Sequence, residues 1–282
     1  MFVALQYLLP HHLLCRLVYV LTRSETRWIK TLLIGAFMRG YAPDMTDAAE
    51  PDPQAYGSFN AFFTRPLRAD ARPGNPEPRA IGSPCDGAVS IADALRGNTL
   101  LQAKSHHYSL EALLANRPDW VSRMSGGLFA TLYLAPYNYH RVHMPLAGQL
   151  LAAWHVPGRL FSVNRQTAAR VPQLFARNER IVCAFDGDHG PFLLILVGAL
   201  FVGSMSTVWH GEVTPARERG GVRALEAHTG AALWQPRGAE LGRFNMGSTV
   251  ILLLPPGAAH WDPALQPGFT LRVGQRLGLL DS

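Results

Sequence analysis

Apolar residues recur at helical spacing through the first forty positions, then give way to short runs framed by turn-forming residues. Leu5, Leu8, Leu9, Leu13, Leu14, Leu17, Val18 and Leu21 share the helical period, and Trp28, Ile29, Leu32, Leu33, Phe37 and Met38 form a second stretch. Arg16, Arg23, Arg27, Lys30 and Arg39 interrupt both, so no apolar run approaches the roughly 20 residues that a bilayer span needs. A secretory leader fits poorly too, because Pro10, His11 and His12 break the early apolar region and no small-residue cleavage site follows. The pattern predicts one or two amphipathic helices. They lie either in a membrane interface, with Tyr19 and Trp28 near the headgroups, or on the domain core as a buried hairpin.

Between Tyr41 and Pro53 the chain turns acidic and proline-rich and reads as a linker, giving a helical segment 1–42 and a remainder 43–282. Gly57 to Leu67 predicts a short helix capped by Ser58 and ending before Pro66. From Ala80 onward, strands are expected at Ala88–Ala92, Leu100–Lys104, Leu128–Leu134, Gln149–His155, Arg180–Phe185, Pro191–Gly198, Thr207–Trp209 and Thr249–Leu254. Asp186-Gly187-Asp188-His189-Gly190 reads as a hairpin turn, and a helix begins at Ser109. The expected fold class is α+β: N-terminal amphipathic helices followed by a mostly antiparallel β core.

Composition narrows the partners. The chain has 282 residues, 48% of them hydrophobic, enough for a substantial core and too apolar for disorder. Three cysteines with no paired spacing argue against a disulfide framework or a thiolate zinc site. Net charge is +6, and of 26 basic residues all but Lys30 and Lys104 are arginine, the better bidentate partner for phosphate. No basic run or nucleic-acid motif accompanies that charge, so nucleic acid is not expected and an anionic lipid surface is. Arg65, Arg68, Lys104 and Arg159 are candidate phosphate contacts, although solvated charges are the commoner role for such residues. Two lysines also leave little scope for lysine-based amine chemistry.

The chemistry concentrates at Asn245-Met246-Gly247-Ser248-Thr249, where a Gly-Ser step enters an apolar strand. Glycine tolerates the strained backbone that a self-attacking peptide bond needs. The serine hydroxyl can attack the preceding carbonyl and convert the amide to an ester. Elimination then gives dehydroalanine, and hydrolysis a pyruvoyl group whose ketone can form a Schiff base with an amine. Upstream stand Ser83-Pro84-Cys85-Asp86-Gly87 and Tyr139-His140-Arg141-Val142-His143-Met144-Pro145, an acid and two imidazoles. His140 and His143 share a face on a helix and point apart on a strand. Pro136 and Pro145 disfavour a long helix, and no third ligand suggests a metal.

The chain resembles the pyruvoyl-dependent phosphatidylserine decarboxylases over nearly its whole length. The resemblance is carried by Phe59-Asn60-Ala61-Phe62-Phe63-Thr64-Arg65-Pro66-Leu67-Arg68, Gln102 to Leu110, His140 to Pro145, Val156 to Asn164, and the Gly247-Ser248-Thr249 step. It departs in having Met246 where the family usually has leucine and Cys85 where alanine is common; neither change removes a reacting group. The resemblance implies a proenzyme cut at Gly247-Ser248 into a β chain 1–247 and an α chain from 248, which stay together as a heterodimer. It implies a pyruvoyl cofactor made from Ser248, phosphatidylserine as substrate, and a peripheral place on the cytoplasmic face of the cell membrane. It also implies that His143 with Asp86 activates Ser248 and that His140 assists substrate chemistry. Two rival readings remain: a serine hydrolase with an intact Ser248, and a non-enzymatic lipid-binding module.

Overall fold

A computed structural model describes residues 2–281 apart from 104–105, 202–203, 215–220, 229 and 232. Lys104 therefore lies outside the described residues. Three helices lead: α1 (Phe2–Leu8), α2 (His11–Thr22) and α3 (Arg27–Tyr41). The second stops short of a span because Arg23 and the Ser24-Glu25-Thr26 turn interrupt it. Helix α3 ends at Ala42, whose left-handed conformation (φ 44°) closes the last turn onto Met38 before Pro43 blocks continuation.

The expected linker is irregular but docked. The amide of Arg68 donates to Asp47, that of Ala49 to Pro66, and Asp47 pairs with Arg72. Proline and aspartate set a non-repetitive backbone without preventing it from packing. The short helix α4 (Phe59–Phe63) follows, and the Ser58 hydroxyl accepts the Ala61 amide as its cap. Its phenylalanines join Ile34, Phe37 and Tyr56 in a separate aromatic cluster, which fixes α3 against the β core.

That core is α+β in the expected sense, and among the described residues every pairing between strands is antiparallel. A nine-stranded sheet runs from Arg223–Ala224 through Gly148–Val156, Arg180–Gly187, Gly190–Val197, Ser248–Leu254, Leu128–Leu134 and Gly87–Ala94 to Thr270–Leu271, with Trp234–Gln235 also paired to Gly148–Val156. The turn at Asp188-His189 closes the hairpin, with Gly187 opposite Gly190. A second sheet of four strands orders Gly211–Val213, Met205–Thr207, Glu240–Phe244 and Arg141–His143. Strand Met205–Thr207 ends before the predicted Trp209, which is buried in the following turn. Ala259–Trp261, Thr270–Leu271 and Arg276–Leu280 are short strands without a periodic signal.

Ser248–Leu254 is the centre of the large sheet. All seven of its residues are buried, as expected of a strand covered on both faces and paired on both edges. Ser248 lies opposite Leu134, but the partner on the other edge begins only at Thr249, opposite Val197. The Gly-Ser step therefore sits where the ladder opens, at the crossing from the small sheet to the large one.

Leu252→Ala should lower stability by about 2–5 kcal/mol, as for other fully buried leucines. A urea midpoint unchanged from the parent would show that this strand is not the centre of the core.

Candidate active site

Ser248 is 1% exposed, and its hydroxyl has no hydrogen-bond partner among the described residues. A buried hydroxyl without a partner is costly, and such groups cluster at reacting sites. The residue before it, Gly247, has no left-handed φ, so the backbone strain expected from sequence is absent in the continuous chain. A Cβ added there would meet the His140 Nε2 atom at 3.7 Å, ordinary contact. What glycine leaves open is the approach between that imidazole and the Gly247–Ser248 peptide.

Backbone pairing puts His140 there. The Phe244 amide donates to the His140 carbonyl at 3.0 Å, and the next three residues carry the chain to Ser248. The imidazole is fully buried, with Phe63 packed on it at 4.1 Å between ring centroids. Its Nδ1 lies 2.8 Å from the Asn138 carbonyl. A carbonyl only accepts, so Nδ1 carries the proton and Nε2 keeps a lone pair. That Nε2 has no partner among the described residues. Burial pushes the ring down to about 3, and the nearby Arg65 cation pushes the same way. His140 is thus a neutral acceptor held beside the Gly247–Ser248 step.

His143 lies on the strand Arg141–His143, and its environment differs. Nδ1 donates to the Gly238 carbonyl at 2.8 Å, so Nε2 accepts the Tyr139 hydroxyl at 3.0 Å. Burial lowers its pKa, while the charges of Glu240 and Asp86 oppose that shift. The Asp86 turn reaches it through the backbone, the His143 amide donating to the Pro84 carbonyl at 2.7 Å. The Asp86 carboxylate itself is taken by Arg72, at 3.0 and 2.6 Å, and by the Val273 amide at 2.8 Å. The structure therefore brings Gly247, Ser248 and His140 together. It places Asp86 and His143 as neighbours whose side chains hold other partners. Gly87 keeps the Asp86 turn tight, since a Cβ there would fall 2.4 Å from the Tyr133 carbonyl.

A cavity of about 220 Å³ opens at Ser248, walled by Phe37 and Tyr41 of α3, Phe63, Tyr133, Ser162 and Phe201. Tyr133 also borders a polar cavity of about 730 Å³ that contains Arg65, Arg72 and Asp86. Arg65 is 3% exposed and its Nε has no partner among the described residues, whereas Arg68 is spent on Thr46 and Asp70. Among the described residues no cluster of His, Cys, Asp or Glu could hold a metal. Phe37 belongs to the periodic stretch of α3 and Tyr139 adjoins the histidines in sequence, but only the fold reveals that they and Arg72 meet the site.

The family model for phosphatidylserine decarboxylase matches residues 59–279, and a second model, termed PSD, matches residues 1–42. A phosphatidylserine decarboxylase proenzyme of Pseudomonas fluorescens is 50% identical over 280 residues, covering 99% of this chain and 97% of that protein. Proteins of the same name from Ectopseudomonas mendocina and Methylococcus capsulatus are each 48% identical, covering 99% of this chain and 97% and 96% of theirs. Matches of this extent, over a chain whose buried serine stands at the opening of its central strand, make it a member of the phosphatidylserine decarboxylase family.

Proposed function

We propose that this chain decarboxylates phosphatidylserine to phosphatidylethanolamine and carbon dioxide after cutting itself between Gly247 and Ser248. The observation that carries this reading is the unpartnered, buried Ser248 hydroxyl at the Gly247 peptide, facing a cavity with an imidazole lone pair beside it. The Ser248 oxygen attacks the Gly247 carbonyl, and the peptide C–N bond breaks as the ester forms. Loss of the Ser248 α-proton expels the Gly247 carboxylate. Water then replaces nitrogen at the dehydroalanine, releasing ammonia and leaving a ketone. That pyruvoyl group supplies an electrophile for the substrate amine and a sink for the electron pair left as carbon dioxide departs. The cavity at Ser248 suits such a group, because its walls are mostly apolar and shed water around the departing carboxylate.

Two histidines compete for the serine proton. We assign that step to His143 with Asp86 and give His140 to proton handling during turnover. A base with a pKa near 3 takes a serine proton poorly; burial lowers His143 as well, but the Gly238 carbonyl and the Glu240 and Asp86 charges oppose that shift. In the continuous chain the Tyr139 hydroxyl occupies His143 Nε2, so the relay passes through Tyr139 or displaces it. The opposite assignment is favoured by one observation, the direct line from His140 Nε2 to Gly247.

Residues 1–42 supply the membrane face and residues 43–282 the reacting groups, with α3 serving both. Among the described residues no helix is long and apolar enough to cross a membrane. Leu13, Leu17 and Val20 of α2 are 66%, 58% and 63% exposed, and Trp28 and Leu32 of α3 are 69% and 61% exposed. Leaving such residues in water is unfavourable, and an interface with anionic lipid, on the cytoplasmic side, relieves it. Because Phe37 and Tyr41 wall the cavity, α3 is not separable from the reaction, as a simple anchor would be.

Ser248→Ala should stay a single full-length chain without decarboxylase activity; a normally cut or active variant on a denaturing gel ends the proposal. His143→Ala and Asp86→Asn should block cutting, while His140→Ala should cut and then lose turnover by about 10²-fold or more. Cutting abolished only in His140→Ala would transfer the maturation step to that residue. For the membrane face, Leu13→Glu, Leu17→Glu and Trp28→Glu together should abolish sedimentation with phosphatidylserine vesicles without altering the thermal midpoint. Full pelleting of that variant would refute interfacial binding through these helices.

A further inference from the structure

A polar chain links the end of α2 to Asn245, two positions before Gly247. Arg23, the C-cap of α2, lies over the Tyr19 ring at 3.7 Å and donates to the Ser204 hydroxyl at 3.0 Å and to Glu212. Tyr19 donates to Glu212 at 3.4 Å, and Ser204 bonds the same carboxylate. The Asn245 side-chain amide donates to Ser204 Oγ at 2.6 Å, Ser206 Oγ at 3.2 Å and Glu212 Oε1 at 3.3 Å. Its backbone is held as well, its amide on the Ser204 carbonyl and its carbonyl accepting Asn60 Nδ2 at 2.8 Å. Asn60 belongs to α4, the helix whose Phe63 packs on His140. Asn245 is 2% exposed, so its own bonds form where replacing them with water is costly, while the Arg23–Glu212 pair at the other end is partly exposed.

Residues 245–247 are the crossing between the two sheets and have no ladder of their own. Such a segment moves unless side chains hold it, and attack on a peptide carbonyl loses rate steeply with misplacement. Glu212 is the hub, because it binds the α2 cap on one side and the crossing segment on the other.

We infer that Arg23 and Glu212 are positioning residues for self-cleavage: acting through Asn245, they hold the Gly247–Ser248 peptide where the serine can attack it. The inference rests on the self-cleavage reading above. It makes the docked state of α2 a condition of maturation, while leaving the groups that act in turnover untouched.

The test follows conversion of freshly made full-length chain to its two fragments, in the parent, Asn245→Ala, Glu212→Ala, Arg23→Gln and the Arg23→Gln/Glu212→Ala double variant. Each single variant should cut about tenfold more slowly, and the double variant should cut within about threefold of Glu212→Ala, because Arg23 acts through Glu212. Decarboxylation per mole of cut chain should match the parent in every variant, and the thermal midpoint should match it in the variants of Arg23 and Glu212, whose pair is partly exposed, because a merely structural role would lower both. Single variants that cut at the parental rate, or whose cut chains lose activity in proportion to the slowed cutting, overturn the inference. A double variant slowed by about the product of its two single variants overturns the link from α2 through Glu212. A parent that never cuts defeats the self-cleavage reading itself, which separates the two failures.

Discussion

Backbone pairing on one side only, at the first residue of the central strand, is the constraint on which the rest of this structure depends. Seven buried residues from Ser248 to Leu254 sit between two partners, and the cost of leaving their amides unpaired in the core forces them into register. That register places Ser248 opposite Leu134 and leaves its other edge open. A residue fully inside the ladder would be too confined for its carbonyl neighbour to be attacked. One farther out would lose the burial that keeps water from the hydroxyl. The small sheet adds the second coordinate, since Phe244 bonds His140 before the chain crosses over.

Burial then sorts two histidines three residues apart into different states. His140 lies under Phe63 with a carbonyl fixing its tautomer, so it stays neutral and points its lone pair at the crossing. His143 is less enclosed and lies within reach of the Asp86 and Glu240 charges. Arg72 joins Asp86 to Asp47, so the loop after α3 is tied to the same acid. The helical layer is therefore mechanically continuous with the site, through Phe37 on the cavity wall and through Asp47 on the clamp.

Local chemistry made some of this readable from the residues alone. Leu128–Leu134 carries a continuous apolar run and is found at those bounds. Ser58 and Asp188-His189 act within four residues of themselves and appear as the cap and the turn they suggest. What escaped notice depends on distant partners. Strand Arg141–His143 is three residues long and exists because Glu240–Phe244 pairs with it. Arg276–Leu280 owes its conformation to pairing with Ala80–Gly82 and Ala259–Trp261. The acidic, proline-rich stretch after Tyr41 looked like a tether, since nothing in it announces that Arg72, 25 residues from Asp47, will bind it. The residues Asp86, His140, His143 and Ser248 were legible as chemistry; the partners each one holds were not.

The central strand is also synthesised after both of the strands it separates, Leu128–Leu134 and Gly190–Val197. Until it emerges, those two strands face a gap, and each presents an edge able to pair with another chain. Domains assemble as their parts leave the ribosome, and here the part that closes the sheet is the part that bears the serine. Closing the gap at the centre of the large sheet and placing the Gly247–Ser248 step are therefore one event in time. Until the gap closes, Ser248 has no strand partner, and a chain stalled short of closure presents two open edges prone to pair with other chains.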